Sequence, residues 1–170
     1  MSRRWGIIAA LAAAGLLQAA LAPHLAIFGV VPNLLYLAVV TVALVEGPAA
    51  GCVAGFAAGL LHDLLTSGPI GPAALVLTLI GYFAGTLHEN LFADGWLAPL
   101  TVVFIAGLVY ETGFGFVLAV LGSGAGFFAS LWRLMLPGAV YNTALAFLVY
   151  PWLARLLQPE RSMTTLRRLL

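Results

Sequence analysis

Three charged residues and one amide lie inside long apolar stretches, and they are the residues of this chain best placed to do chemistry. They are Asp63, Glu111, Arg133 and Asn142. A charge buried in hydrocarbon costs at least about 2.5 kcal/mol, so each of these charges needs a partner or a function. A carboxylate at such a depth can carry protons or bind a substrate. For Asn142 we expect a hydrogen bond between helices.

The basic residue of this set has two acidic candidates as partners. A glycine-rich turn at residues 122–126 makes the last two apolar stretches antiparallel neighbours. Glu111 and Arg133 then differ in depth by about one helical turn. We therefore expect an ion pair between Arg133 and either Glu111 or Asp63. Proton transfer or substrate binding at one of the two carboxylates is the alternative, although a transporter normally shows more polar partners at matching depth or a helix broken at the midplane.

The rest of the sequence lacks the spacing of a catalytic or metal site. It contains no zinc-ligand spacing, P-loop, G-x-S-x-G or H-E-x-x-H pattern. Cys52 is the single cysteine, which excludes an internal disulfide. His62 beside Asp63 could hold a metal or a proton, but a helix-end histidine in contact with interfacial water is the simpler interpretation. We predict a protein that is not an enzyme and has no cofactor and no metal site.

The composition excludes an ordinary soluble domain. Hydrophobic residues make up 63% of the 170 residues and charged residues 8%, and the mean hydropathy is +1.09. Soluble domains carry about 25% charged residues. We predict an all-α polytopic membrane protein, with residues 1–170 forming one integral membrane domain in the lipid bilayer. It is a compact bundle of about six transmembrane helices, and nothing suggests a nucleic-acid partner.

Six apolar stretches are candidates for membrane spans, each of which needs about 20 residues. The second is short for a full span, and Pro137 should kink the last. The approximate spans are 5–22, 31–45, 48–65, 73–87, 96–121 and 127–157.

The arginines indicate the orientation of these spans. With six spans both termini lie on one side of the membrane, and six of the seven basic residues lie there too: Arg3, Arg4, Arg155, Arg161, Arg167 and Arg168. The positive-inside rule makes that side cytoplasmic. Residues 1–22 also resemble a secretory signal ending in an A-x-A site. Its cleavage would leave five spans with the same orientation, but we favour retention because the alanine-rich first span suits helix packing.

A ladder of glycines occupies the third span. Gly47, Gly51, Gly55 and Gly59 recur at a spacing of four and so follow one face of a helix. In lipid, a face of small residues lets another helix approach closely. That helix belongs either to this bundle, which we favour, or to a partner protein.

Several segments together resemble one known family. They are V-P-N-L-L at 31–35, E-G-P at 46–48, G-F-A-A-G-L-L-H-D-L-L at 55–65 and G-P-I-G at 68–71. Tyr82, Gly85 and the pair Tyr110-Glu111 fit the same pattern. The chain resembles the rod-shape-determining protein MreD family across nearly its whole length, except for the arginine-bearing tail after Pro159.

The resemblance implies a non-enzymatic inner-membrane scaffold of the bacterial cell-wall elongation machinery. Its partners would be MreC, a single-span periplasmic protein, the MreB cytoskeleton and peptidoglycan synthases, and a homo-oligomer is also compatible with the sequence. The alternative is the substrate-binding membrane subunit of an energy-coupling-factor vitamin transporter, which also has six helices. The short extracellular segments offer little polar chemistry for a vitamin and weigh against that alternative.

Overall fold

The computed structural model describes residues 3–27, 30–87, 97–122 and 136–157. These residues form six α-helices, with a short 3-10 helix, Ala22–Leu25, after the first. Within the described ranges the β-structure is limited to an isolated bridge between Ile27 and Val30. The protein is therefore all-α. The helices are α1 (Arg3–Ala20), α2 (Leu34–Glu46), α3 (Pro48–Leu65), α4 (Pro72–Thr86), α5 (Leu97–Val120) and α6 (Leu136–Leu157).

Local sequence explains where the central helices begin. Asn33 caps α2, since its side-chain oxygen accepts a hydrogen bond of 2.9 Å from the backbone N–H of Tyr36. Pro48 and Pro72 stand in the first turns of α3 and α4, where a missing N–H costs little. Between α2 and α3 the chain turns at Gly47, whose φ of +90° favours a residue without a side chain. The α2–α3 connection is therefore a single tight turn.

The shortest helix lies at the centre of the bundle. α2 has 13 residues, and every residue from Leu35 to Val45 is buried. It contacts all five other helices. A helix of this length rises only about 20 Å, less than the roughly 30 Å of a hydrocarbon core. Because other helices surround it, α2 packs against protein on all sides, which its predominantly apolar sequence permits.

The outside of the bundle is apolar as well. Large hydrophobic side chains on several helices are more than two-thirds exposed, among them Leu16, Val53, Leu148 and Trp152. In water such a surface would be an aggregation hazard, whereas lipid tails accommodate it. Two helical stretches, Pro48–Leu65 and Ala98–Val120, are long and apolar enough to cross a membrane. Three shorter apolar helices accompany them in the described part of the chain: Trp5–Ala20, Leu34–Glu46 and Pro72–Thr86.

The helix bounds stay close to the predicted spans, with one span only partly described. α3 covers the range assigned to the third span, and the ends of α1, α2, α4 and α5 lie within three residues of the assignments. In the sixth span, residues 127–135 and with them Arg133 lie outside the described residues. That all six segments cross the bilayer, and in which direction, stays a prediction.

Candidate functional site

The glycine ladder of α3 lies against the backbone of α4. A side chain on Gly51 would collide with the carbonyl of Gly81, and one on Gly55 would collide with the carbonyl of Leu77. At Gly59 a side chain would collide with the backbone of Ala73 and Ala74. Only glycine allows two helices to approach this closely. This face of α3 is thus covered by a helix of the same chain.

The fourth glycine of the ladder has another position. Gly47 precedes α3 rather than belonging to its helical face, and a side chain there would meet nothing within 4 Å. Its positive φ makes it a turn residue. The expectation of four glycines on one helical face therefore holds geometrically for Gly51, Gly55 and Gly59.

Helix α4 carries small residues on the face that meets the glycine ladder of α3. The sequence alone did not identify α4 as the helix that covers the ladder. Residues 73, 77, 81 and 85 recur at a spacing of four with their backbone facing α3, and three of them are small: Ala73, Gly81 and Gly85. A side chain at Gly85 would collide with Pro48 at the start of α3. The matching period in two consecutive helices was the signal that could have paired them.

Asp63 holds the two helices together at their connected ends. Its side chain is 1% exposed. Its carboxylate accepts hydrogen bonds from three backbone N–H groups, those of Gly71 at 2.9 Å, Ala73 at 3.0 Å and Ala74 at 3.1 Å. The first N–H groups of a helix lack intrahelical partners and favour a negative charge. Gly71, the residue before α4, has no side chain to cap the helix, and Asp63 of α3 caps it instead.

Asn142 joins α6 to the segment before α2. It is 2% exposed, and its Oδ1 accepts a hydrogen bond of 2.8 Å from the backbone N–H of Asn33. On the opposite side Gln18 of α1 binds the same segment twice. Its Nε2 donates to the carbonyl of Pro32 at 3.1 Å, and its Oε1 accepts from the N–H of Leu34 at 2.7 Å. Two amide side chains therefore satisfy backbone groups of residues 32–34 that have no intrahelical partner at the start of α2.

A polar cavity of about 440 Å³ lies where α1 and α3 end and α2 begins. It is formed by residues far apart in the sequence, including Gln18, Asn33, His62, Tyr110, Glu111 and Phe114. Its size falls within the roughly 300–1,000 Å³ of typical ligand pockets. The sequence drew attention to Glu111 and His62, and to Gln18 and Tyr110 as possible polar partners, but it did not predict that they line one cavity.

Aromatic rings form one wall of this cavity. The rings of Tyr110 and Phe114 are stacked with centroids 5.7 Å apart, and His62 meets both edge-on at 6.2 and 5.9 Å. Tyr36 stacks on Tyr110 from below at 5.9 Å and donates its hydroxyl to the carbonyl of Val103. These contacts tie α2, α3 and α5 into a rigid wall.

Two polar atoms of the wall have no hydrogen-bond partner among the described residues. They are Nδ1 of His62 and the hydroxyl oxygen of Tyr110. The Asn33 side chain lies near the Tyr110 hydroxyl but outside hydrogen-bond geometry. Tyr110 is only 4% exposed. Buried polar groups without a partner are uncommon, and a bound ligand or water is a usual reason for one.

Glu111 lies next to this wall and against α6. A Cβ added at Gly138 of α6 would lie 3.4 Å from its Oε1, so the glycine leaves room for the carboxylate. The proposed partner Arg133 lies outside the described residues. Asp63, the other acidic candidate for that pair, has its oxygens engaged by backbone amides.

An apolar groove on the outside of the bundle is the second candidate surface. It runs between α4 and α5 and encloses about 370 Å³. Small residues, Ala84 and Ala106, form part of its lining. Larger side chains also line it, among them Leu79, Phe83 and Ile105, which are half-exposed or more. The described residues that line it include no charged side chain.

In the described part of the chain, these features define an all-α protein of apolar helices whose polar groups cap helix ends, bridge helices and line a partly open cavity. Proteins of this kind reside in membranes. Comparison with family models gives the particular family: residues 2–159 match the rod shape-determining protein MreD, and the chain belongs to that family. No curated protein and no solved structure matches it.

Family membership settles the general role. MreD proteins are membrane proteins of the MreBCD shape-determining system, so this chain takes part in rod-shape determination. The match gives no support to the vitamin-transporter alternative.

Proposed function

We propose that this chain is a non-enzymatic scaffold of the cell-wall elongation complex and holds the transmembrane helix of an MreC-like single-span partner. The family match carries this proposal, because it assigns the chain to a shape-determining system rather than to an enzyme family. In this role the protein sits in the inner membrane with six spans and both termini in the cytoplasm. MreB and peptidoglycan synthases join the same complex.

The groove between α4 and α5 is the surface we assign to the partner helix. Association in lipid depends on close van der Waals packing, because apolar side chains gain little from leaving lipid tails. A concave surface with small residues in it gives more contact than a convex one. Ala84 and Ala106 provide the small residues of this groove, and Phe83 adds a wide aromatic rim.

The glycine face of α3 is less suited to a partner. Gly51, Gly55 and Gly59 already contact the α4 backbone, so a partner helix could reach them only by displacing α4. Such a displacement would also remove the Asp63 cap from the start of α4. The glycine ladder therefore maintains the α3–α4 pair, and the partner binds on the outer side of α4.

Site-directed crosslinking tests this assignment. In a Cys52→Ala background, single cysteines replace Leu79 or Ile105 in the groove, and a cysteine at Leu148 on α6 serves as the matched control. Leu79 is 50% exposed, Ile105 54% and Leu148 72%, so all three are accessible from lipid. With the MreC-like partner carrying cysteines along its transmembrane helix, we expect oxidative crosslinks from the two groove positions and none from position 148.

Three outcomes separate the occupants of the groove. A partner crosslink from 79 and 105 supports the proposal. Crosslinks between two copies of this chain at those positions would assign the groove to a homo-oligomer instead. Efficient partner crosslinks from position 148, with none from the groove, would place the partner on α6 and overturn the assignment.

A further inference from the structure

We propose that the polar cavity beside Tyr110 and Glu111 binds an organic cation, an ammonium or a guanidinium group. This site is distinct from the α4–α5 groove and does not depend on the partner assigned there. The cavity, its charge and its aromatic wall each point to this ligand class.

Charge is the first reason. Among the described residues that line the cavity, Glu111 is the only aspartate or glutamate, and none is lysine or arginine. A carboxylate in surroundings of low dielectric attracts a cation far more strongly than it would in water. Histidine and hydroxyl groups around it add acceptors rather than a fixed positive charge.

The aromatic wall is the second reason, and it discriminates between cations. Tyr110 is stacked on both Phe114 and Tyr36, so the partly exposed Phe114 ring is the one that can offer a π-face to an ammonium or guanidinium group. A hard metal ion instead prefers six or more oxygen ligands. The nearby carboxylate of Asp63 cannot supply them, because it accepts three backbone hydrogen bonds. An organic cation therefore fits this wall better than a metal ion.

Unpartnered acceptors are the third reason. The Tyr110 hydroxyl and Nδ1 of His62 are buried without hydrogen bonds to described residues. Both can accept a hydrogen bond, the imidazole in the tautomer that carries its proton on Nε2. An ammonium group has three N–H donors and a guanidinium five. Such a ligand can satisfy the carboxylate, the hydroxyl and the imidazole together.

The position of the cavity indicates how the ligand enters. Ala19 and Thr66, which lie at the ends of α1 and α3, also line it. The ligand therefore approaches from the membrane surface at that end of the bundle. The amine headgroup of a lipid such as phosphatidylethanolamine offers this chemistry at that surface.

Binding of matched small molecules tests the ligand class. The probes are butylguanidine and its neutral isostere butylurea, titrated by calorimetry into the full-length protein in phosphatidylglycerol nanodiscs. We expect the cation to bind at least about tenfold more tightly than the isostere, as charge-assisted hydrogen bonds are about twice as strong as neutral ones. Equal binding of the two probes would overturn the proposal. Binding of neither probe to the protein would overturn it as well.

Substitutions locate the binding. Glu111→Gln should weaken butylguanidine binding about tenfold or more, whereas Glu46→Gln, a carboxylate outside the cavity lining, should leave it unchanged. Tyr110→Phe should weaken it a few-fold and covers the case in which Glu111→Gln fails to fold. Unchanged binding in folded Glu111→Gln would contradict the site.

Two further arms test the lipid headgroup as the natural ligand. If a lipid amine occupies the cavity, butylguanidine affinity should fall several-fold when phosphatidylethanolamine replaces half of the phosphatidylglycerol, and phosphatidylcholine at the same fraction controls for surface charge. If Arg133 instead pairs with Glu111, Arg133→Gln should raise butylguanidine affinity several-fold in phosphatidylglycerol nanodiscs, and that result would overturn the proposal.

Discussion

Removing the Asp63 carboxylate should loosen the start of α4 and destabilise the whole bundle. Its oxygens accept hydrogen bonds from Gly71, Ala73 and Ala74, and the bonds to Ala73 and Ala74 are buried. Asp63→Ala leaves these two N–H groups without a partner and without access to water, whereas Gly71, at the partly buried end, can be hydrated. The substitution therefore tests a cap that one helix supplies to the next.

The size of the effect follows from the number of orphaned donors. A buried donor left without a partner costs about 1–3 kcal/mol. Two such groups give a loss of about 4 kcal/mol in the free energy of unfolding for Asp63→Ala. Asp63→Asn keeps one acceptor oxygen, so about half of that loss, about 2 kcal/mol, is expected. Thr66→Ala, at the same end of α3 but without a bond to α4, should change stability by less than about 0.5 kcal/mol.

Reversible unfolding in mixed micelles measures these differences, and hydrogen exchange localises them. The amides of residues 73 and 74 should lose protection in Asp63→Ala before the rest of the bundle does. A proton-carrying role predicts the opposite pattern, in which Asp63→Asn keeps native stability and loses function. If the free energy of unfolding of Asp63→Ala differed from that of the parent protein by less than about 0.5 kcal/mol, the capping role would be refuted.

Two further predictions concern helix packing. Gly55→Ala should lower the free energy of unfolding by about 1–2 kcal/mol, because overpacking against the α4 backbone exceeds the gain in helix propensity. The control is Gly6→Ala, where the added methyl meets nothing within 4 Å, and this change should be neutral or stabilising. Melting temperatures of both variants check this, and equal shifts would contradict it. Asn142→Leu should lower the free energy of unfolding by about 1–2 kcal/mol because it leaves the buried N–H of Asn33 unpaired, whereas Asn142→Asp keeps the acceptor. The same unfolding assay measures both variants. Unchanged stability of Asn142→Leu would refute the contribution of this hydrogen bond.

Local sequence was sufficient for the positions of the helices. Apolar stretches bounded by glycine, proline and polar residues identified α1 to α5 to within three residues, since these residues act on the backbone next to them. Pro48 and the turn residues after Leu65 bound α3 in this way. The short second span was also visible in the sequence. Its central position was not, because an apolar sequence fits lipid and protein surroundings equally well.

The candidate site could be foreseen only in part. Asp63, Glu111 and Asn142 drew attention because they lie within apolar stretches of the sequence. Their partners could not be named, because a carboxylate can equally meet an arginine, a proton or a row of backbone amides. The cavity was missed altogether, since Gln18, His62 and Glu111 belong to three helices whose ends meet only in the folded bundle.

The glycine ladder shows the same division. Its sequence determined a smooth face, because glycines four residues apart must align on a helix. Which helix covers that face was decided by tertiary structure, where the matching period of α4 and the Asp63 cap bring the two backbones together. Local periodicity fixes the shape of one helix surface, whereas the identity of its neighbour depends on contacts that form only when separate helices pack together. Only the assembled bundle therefore leaves the α4–α5 groove and the polar cavity open for binding.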